Sequence, residues 1–291
     1  INAAPWGIPA SANSIIGGVS GNLSLGAFGG CVVFRFQEPV TDHPDNPYGV
    51  DFTIWGNPLD HWAEPAVVWV MKDSNGNGKA DDTWYQLAGS DYHFSGTDTA
   101  YAVTYSKPEA SGAADVPWQD NRGNTGVLPA NSYHDHAYYP LADSFPAIPQ
   151  SKYTLRGTRI SGLLDTAGVP VKSHRRAFGY ADNQLRGQAP YTLPDNPYTS
   201  KVENSGGDAF DLHWAVDGQG NPVELDTAHF IKVQTAMFSQ GQILGELSSE
   251  ITGAVNVPPN AGFSGSSDCL VMQDMPLQLD TGSYQLKALA Y

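Results

Sequence analysis

Short runs of β-branched and aromatic residues recur along this chain of 291 residues, separated by segments rich in glycine, proline, asparagine and aspartate. Such runs are typical of β-strands that are joined by turns. Only 15% of the residues are charged, whereas the chain contains 31 glycines and 21 prolines, so the composition does not favour charged surface helices. The 41% of hydrophobic residues can supply a core. The sequence therefore predicts an all-β fold, a β-sandwich or jelly-roll-like arrangement with long loops and little helix.

The pattern divides the chain into three predicted segments. Residues 1–22 are rich in alanine, glycine, serine and proline and are predicted to form an extended N-terminal arm. Residues 23–255 carry most of the strand patterns and form the predicted β-sandwich domain. Residues 256–291 are predicted as a C-terminal extension that ends in a strand. Within the domain, residues 106–150 are predicted to be mainly loop. Residues 244–255 are the one plausible short helix, and the alternative for them is a loop.

Residues 73–82 carry the sharpest chemical signal. Oxygen-bearing side chains occupy loop positions 1, 3 and 5, a glycine occupies position 6, and carboxylates follow at positions 9 and 10. This spacing is typical of a calcium loop of the D-x-[DN]-x-[DN]-G type, because Ca²⁺ takes about six to eight oxygen ligands. The predicted ligands are the side chains of Asp73, Asn75, Asn77, Asp81 and Asp82 and the backbone carbonyl of Lys79.

The flanks of this loop predict its position in the fold. Residues 66–71 and 83–87 are rich in β-branched and aromatic residues and are predicted to be strands. We therefore expect the loop at the tip of a β-hairpin rather than between two helices. A full EF-hand places a glutamate at position 12, but Trp84 stands there, so Asp81 or Asp82 would complete the ligand set. The alternative is an ordinary hairpin turn without a metal, since Asn, Asp and Gly are common turn residues.

A second group of candidate residues lies in the segment predicted to be mainly loop. Trp118 stands beside Asp120 and Asn121 in a polar stretch, and we expect its ring to be exposed. An exposed aromatic ring can stack on a sugar face while neighbouring carboxylate and amide groups accept hydroxyl hydrogens. These three residues are therefore predicted to bind a ligand, with a glycan as the first candidate. The alternative is that the ring belongs to the core, as most aromatic residues of β-proteins do.

Two histidines follow in the same segment. In an extended strand His134 and His136 would point to the same face, which suits a transition metal. They are included among the candidate ligand-binding residues, although histidine is also an ordinary loop residue and no third ligand is evident nearby.

Charge and hydropathy exclude several classes of protein. The formal net charge is −15 and the pI is about 4.7, which disfavours binding to nucleic acid or to anionic membranes. No stretch approaches the ~20 apolar residues of a membrane-spanning helix. The chain begins at Ile1, so we expect that a leader was removed. Cys31 and Cys269 allow one disulfide or two free thiols, and the sequence does not separate the two.

No catalytic motif is found. The chain has no nucleophile elbow, no zinc-protease helix signature and no glycine-rich phosphate loop. Paired carboxylates for glycoside hydrolysis, such as Glu64 with Asp51, cannot be recognised from spacing along the chain. We therefore expect a protein without enzymatic activity.

Several motifs together resemble a poorly characterised group of exported bacterial cell-surface proteins. They extend over about residues 23–255 and include Gly26-Ala27-Phe28-Gly29-Gly30, Asp45-Asn46-Pro47-Tyr48-Gly49-Val50-Asp51-Phe52, Asp73-Ser74-Asn75-Gly76-Asn77-Gly78, Asp115-Val116-Pro117-Trp118, Gly179-Tyr180-Ala181-Asp182-Asn183 and Phe230-Ile231-Lys232-Val233-Gln234-Thr235. The resemblance implies an extracellular or cell-surface setting. It implies no established activity, so no catalytic residue is carried over from it.

These observations predict an exported, calcium-binding surface protein that acts as a binding module for a glycan or for another surface protein. The alternative is a self-assembling structural subunit of an extracellular fibre or surface layer, in which calcium stabilises the fold or the subunit contacts. A third hypothesis is a hydrolase or lyase that uses calcium to hold acidic groups of its substrate.

Overall fold

The computed structural model describes residues 5–257, apart from 44, 45, 47, 111, 131–137, 162, 163, 169, 170, 187–205 and 242–244. The chain consists of two compact units, residues 1–261 and 262–291, and every described residue belongs to the first. The predicted C-terminal extension, including Cys269, therefore lies almost wholly outside the described residues. Cys31 is exposed and forms no disulfide with any described residue.

The described residues form an all-β fold with two short 3-10 helices, Pro9–Ile15 and Leu212–Trp214, which confirms the predicted fold class. The strands are β1 (Leu23–Ser24), β2 (Cys31–Phe34), β3 (Val40–Thr41), β4 (Phe52–Trp55), β5 (Ala66–Met71), β6 (Trp84–Leu87), β7 (Asp98–Ser106), β8 (Val116–Asp120), β9 (Thr125–Leu128), β10 (Lys152–Arg159), β11 (Leu164–Asp165), β12 (Lys172–Ser173), β13 (Asp208–Phe210), β14 (Ala215–Val216), β15 (Thr227–Ala228), β16 (Phe230–Thr235), β17 (Glu250–Ile251) and β18 (Gly253–Asn256).

A five-stranded antiparallel sheet, in the order β14-β6-β5-β16-β2, packs face to face with a three-stranded sheet in the order β13-β4-β18. Phe52 and Ile54 of β4 share one core with Val68 and Val70 of β5. Phe52 also stacks on Phe210 of β13, with the ring centroids 5.1 Å apart. The two sheets therefore form the sandwich-like part of the fold.

The opposite face of the five-stranded sheet is also covered. Val67 of β5 and Ala236, which follows β16, pack against Ile160, Tyr180 and Leu247. Because both faces are buried, β5 is a nearly continuous apolar run rather than an alternating one.

A four-stranded sheet in the order β10-β7-β8-β9 carries a separate core. Tyr101, Val103 and Tyr105 of β7 pack there with Phe28, whose ring meets Tyr101 edge to face at 5.0 Å. The β8–β9 hairpin falls within the segment predicted to be mainly loop. It forms because the two short strands pair around a turn in which Gly123 has φ 86°.

The two ends of the described chain are tied together. Where the sequence predicts an extended arm, Pro9–Ile15 form a 3-10 helix, and the N–H of Gly21 donates to the carbonyl of Thr252 at 2.8 Å. Residues 250–256 form β17 and β18 rather than the predicted helix. They are strands because β17 pairs with β1 and β18 pairs with β4, so distant partners satisfy their backbone groups.

No helix among the described residues is long and apolar enough to cross a membrane.

Candidate metal sites

The predicted calcium loop lies at the tip of the β5–β6 hairpin, as its flanks indicate. The two strands pair antiparallel up to Met71 opposite Trp84, so the intervening residues close the turn. The start of the loop is anchored to the neighbouring β15–β16 region. The N–H of Asp73 donates to Nδ1 of His229 at 3.2 Å, and Nζ of Lys72 meets Oδ1 of Asp226 at 2.7 Å. The base of the loop is thus fixed while its tip is exposed.

Asp73 organises the first half of the loop. Its carboxylate accepts hydrogen bonds from the N–H groups of Asn77 at 3.1 Å and of Gly78 at 2.8 Å. Gly76 and Gly78 have φ of 70° and 71°, a region that residues with a Cβ rarely adopt. The two glycines therefore allow the chain to wrap around the carboxylate.

The side chains of the second half converge on the same centre. The amide nitrogens of Asn75 and Asn77 donate to the carboxylate of Asp81 at 3.3 and 3.1 Å. Asn77 also accepts from the N–H of Lys79 at 2.8 Å through its own Oδ1. Asp82 closes the loop by accepting from the N–H of Ser74 at 3.1 Å. The side chains of the predicted ligands Asp73, Asn75, Asn77, Asp81 and Asp82 therefore all form hydrogen bonds within the loop, and Lys79 is bonded to Asn77 through its N–H.

This arrangement can present oxygens to a hard cation. Asp73, Asp81 and Asp82 place three carboxylates on one exposed turn, where their mutual repulsion favours a bound cation. A half-turn of the amides of Asn75 and Asn77 would aim their oxygens at this centre in place of their nitrogens. The hydrogen bonds that these oxygens accept from the N–H groups of Asn77 and Lys79 would then be lost.

Two further groups of carboxylates lie away from this loop. In the first, oxygen atoms of Glu64, Asp182 and Glu250 lie within 4.8 Å of one another. Asp182 is completely buried and has φ 56°. Its two oxygens accept from the N–H groups of Asn57 and Glu250, each at 2.8 Å. The carboxylate of Asp182 thus joins the end of β4 to β17.

Burial controls protonation in this first cluster. It raises the pKa of Glu64 well above its ordinary value, and the negative charges of Glu250 and Asp182 raise that pKa further. Burial also raises the pKa of Asp182 and of Glu250. For Glu250, hydrogen bonds with Glu64 and Ser24 offset part of this rise. The hydrogen bond between the side chains of Glu64 and Glu250 raises the pKa of Glu64 and lowers that of Glu250, so Glu64 holds a proton more readily than Glu250.

The second cluster joins Asp42, Asp51 and Asp211, whose oxygens also lie within 4.8 Å of one another. Burial raises the pKa of Asp51 to about 7, although the N–H of Leu212 donates to its Oδ2 at 2.8 Å. Asn46 donates to its Oδ1 at 3.3 Å. Like the first cluster, this one could hold a metal ion.

Sequence reasoning did not find either cluster. It named Glu64 and Asp51 as an example of a pair, but the structure assigns them to different clusters. A signal was present, since Asp51 directly precedes the apolar strand β4 and Asp182 follows the apolar Tyr180 and Ala181. An aspartate among buried residues needs partners, but the sequence does not say which ones.

Comparison of the sequence with protein-family models and with curated proteins gives no match to either. The resemblance to exported surface proteins therefore stays a prediction, and the assignment of a function rests on the geometry of the sites.

The predicted ligand-binding residues of the β8–β9 hairpin have structural partners. Trp118 is partly buried rather than fully exposed, and its ring lies edge-on to Phe238 at 4.8 Å. Asp120 is buried and accepts from the Tyr101 hydroxyl at 2.9 Å and from the N–H of Asn124 at 2.8 Å. Trp118 and Asp120 therefore have a structural role, because these contacts pack the hairpin against its neighbours.

Asn121 fastens this hairpin to β7. Its Oδ1 accepts from the N–H of Ala102 at 3.0 Å, and its Nδ2 donates to the carbonyl of Ala100 at 2.8 Å. His134 and His136 lie outside the described residues.

We expect Asn121→Ala to lower the free energy of unfolding by about 1 kcal/mol, because two hydrogen bonds to β7 are lost. Urea unfolding monitored by tryptophan fluorescence measures this change. Gln119→Ala is the matched control, since the exposed Gln119 side chain makes no hydrogen bond to a described residue, and its effect should stay within about 0.5 kcal/mol. Equal losses in the two variants would contradict the role given to Asn121.

Proposed function

We propose that this chain is an exported calcium-binding protein of the cell surface or extracellular space, which acts as a binding module for a glycan or another surface protein. The observation that carries the proposal is the loop of residues 73–82, in which the side chains of Asp73, Asn75, Asn77 and Asp81 meet around one centre.

The charge of the loop supports calcium as the ion. The exposed turn holds three aspartates and one lysine, Lys79, while Lys72 before the turn is paired with Asp226. Carboxylate, amide and backbone carbonyl oxygens are the ligands that calcium prefers, whereas they suit zinc or copper less well. Calcium would replace the hydrogen bonds between side chains with metal–oxygen contacts and would hold the β5–β6 hairpin in one conformation.

The overall charge supports an extracellular setting. A net charge of −15 is compatible with an environment rich in divalent cations and disfavours nucleic acid as the partner. A calcium ion in the loop at the end of the β5–β6 hairpin would hold the neighbouring loops in fixed positions for binding.

Self-association is a second candidate function, and the edge of the five-stranded sheet supports it. Strand β2 is the last strand of that sheet, and its Val33 side chain is 43% exposed. An edge strand with exposed apolar side chains can accept a strand from a second copy. In this alternative the protein is a subunit of a fibre or surface layer.

Calorimetric titration with calcium and, separately, with magnesium tests the proposal. We expect saturable calcium binding and much weaker magnesium binding, because magnesium requires a smaller and more regular site. Light scattering on the same samples separates the two functions. A monomer with calcium supports the binding module and leads to glycan arrays, whereas a calcium-dependent increase in mass supports assembly. No calcium binding at all would overturn both.

A further inference from the structure

A cavity of about 410 Å³ lies between the N-terminal segment, strand β2 and the four-stranded sheet. Its walls are mainly apolar and include the aromatic rings of Phe28, Tyr105 and Tyr153. The ring centroids of Tyr105 and Tyr153 lie 5.5 Å apart, and the two planes are tilted by 36°. This volume and this lining are typical of sites for small organic ligands.

The chain between β1 and β2 leaves this space open because its side chains are small. It contributes Gly26, Ala27, Gly29 and Gly30 to the wall. Gly29 has φ 87°, and a Cβ added there would lie only 2.5 Å from the Cβ of Leu155. The backbone therefore approaches the four-stranded sheet closely at this point, while the short side chains beside it fill little of the cavity.

Polar side chains of the wall have partners within the protein. The hydroxyl of Tyr105 donates to the carbonyl of Phe28 at 3.0 Å. Glu246 hydrogen-bonds to Tyr138, and both side chains line the cavity. Lysine, arginine and histidine are absent from the described residues of the lining. A ligand is therefore not required to complete the hydrogen bonds of these groups.

The physical cost of burying a charge decides which kind of ligand fits such a wall. A charged group that enters an apolar cavity loses much of its hydration, and this loss is costly unless the group gains a dedicated partner. A neutral molecule avoids that cost, and its apolar surface is removed from water against the aromatic and aliphatic side chains of the wall. The lining thus favours a neutral ligand over an ionic one.

We propose that this cavity binds a small neutral organic molecule, with its apolar body against Phe28, Tyr105 and Tyr153. The described lining includes no residue of the calcium loop of residues 73–82. The inference therefore goes beyond the proposed function and does not depend on calcium.

Three rigid probes with the same carbon skeleton test the preference for a neutral ligand: 2-naphthylmethanol, 2-naphthylmethylamine and 2-naphthoate. Near neutral pH the first is neutral, the second is a cation and the third is an anion. Calorimetric titration of the full chain gives the three affinities. We expect the alcohol to bind about tenfold more tightly than either charged probe, because only the charged probes lose the hydration of an ion.

The same titrations in calcium and in chelator separate this proposal from the calcium proposal. The affinity for 2-naphthylmethanol should be equal in the two solutions. A chain that binds the alcohol but not calcium would contradict the proposed function alone, whereas a chain that binds calcium but not the alcohol would contradict the cavity proposal alone.

Two substitutions in the same 3-10 helix test the location of the site. Ala12 lines the cavity, whereas Ala10 is exposed and is not among the lining residues, although both belong to Pro9–Ile15. We expect Ala12→Phe to fill part of the space and to weaken binding of 2-naphthylmethanol by about tenfold. Ala10→Phe is the matched control and should bind this probe as the parent protein does.

Thermal unfolding followed by circular dichroism checks that both variants are folded, and the probe series on the unaltered protein stands independently of them. The proposal is overturned if 2-naphthylmethanol does not bind, or if either charged probe binds as tightly as the alcohol. It is also overturned if a folded Ala12→Phe variant binds the alcohol as tightly as Ala10→Phe does.

Discussion

Calcium is expected to raise the midpoint of thermal unfolding of this protein by about 5–10 °C, and the double substitution Asp73→Asn with Asp81→Asn is expected to remove that rise. A ligand that binds only the folded state stabilises it by about 2.7 kcal/mol at a concentration one hundred times its dissociation constant. The loop offers such a site only when the chain is folded, because the ligands meet through the β5–β6 pairing.

Asparagine is the appropriate replacement at both positions. It preserves the shape of the side chain and one acceptor oxygen. One of the two N–H groups, of Asn77 or of Gly78, can therefore still donate to residue 73, and the hydrogen bond to the other oxygen is lost. Two negative charges are lost, and calcium affinity depends strongly on the number of carboxylates. Differential scanning calorimetry in calcium and in chelator measures the shift.

The matched control removes two charges from exposed positions elsewhere. Glu109→Gln with Asp143→Asn changes the net charge by the same amount outside the loop. This control should respond to calcium as the parent protein does. If the loop variant also responds like the parent, calcium acts at another place, and the two carboxylate clusters become the next candidates.

The second large expected effect is a fall in stability as the pH rises from about 4 to about 7. Several buried carboxyl groups hold a proton more readily in the folded protein than in the unfolded chain. Burial raises the pKa of Asp51 and of Asp208 from 3.8 to about 7, and it raises that of Glu64 and Asp182 well above the ordinary values.

The direction follows from the protons bound in each state. Between the unfolded and the folded pKa the folded state holds more protons, so the free energy of unfolding decreases as the pH increases. The stabilisation is complete below the unfolded pKa and is lost as the pH passes through the folded pKa. Exposed Asp217 and Asp226, whose pKa is lowered by hydrogen bonds from Asn221 and from Lys72, act in the opposite sense and lose their contribution at lower pH.

Glu64→Gln isolates the contribution of Glu64. A glutamine can reproduce the protonated glutamate, because its oxygen can accept from the N–H of Ser248, as Glu64 does at 3.0 Å, while its amide donates to Glu250. We expect the variant to be about 1–2 kcal/mol more stable than the parent near pH 8 and to lose less stability between acid and neutral pH. Urea unfolding at a series of pH values measures both effects.

Glu224→Gln is the control for this series. Glu224 is exposed and belongs to neither cluster, so its replacement should leave the pH dependence unchanged. If Glu64→Gln is less stable than the parent at every pH, Glu64 is charged in the folded state and the sharing of a proton with Glu250 is wrong.

The predicted calcium loop of residues 73–82 is the part of the candidate site whose geometry depends most on local sequence. Its ligands lie within ten residues, and the turn residues, the glycines and the flanking strands are all local signals. The structure brings these ligands together as their spacing indicates. The β8–β9 hairpin is equally local, but its signal was missed because Asn121, Arg122 and Gly123 look like part of a longer loop.

The short strands near the end of the described chain show where local reasoning ends. Residues 244–255 have no strong strand pattern and are predicted as a short helix or a loop, yet Glu250–Ile251 form β17 and Gly253–Asn256 form β18. Their backbone groups are satisfied by β1 and β4, which lie about two hundred residues away. A propensity that differs by a fraction of a kcal/mol per residue cannot outweigh a set of tertiary hydrogen bonds.

The sequence by itself determined the all-β class, the calcium-type spacing and the acidic surface, since these depend on neighbouring residues and on composition. Only the tertiary structure decided that Glu64 meets Asp182 and Glu250, and that Glu246 lines an aromatic cavity with Tyr105. Those groups are far apart along the chain, and their protonation and binding properties arise from burial and from charges that only the folded state brings close together.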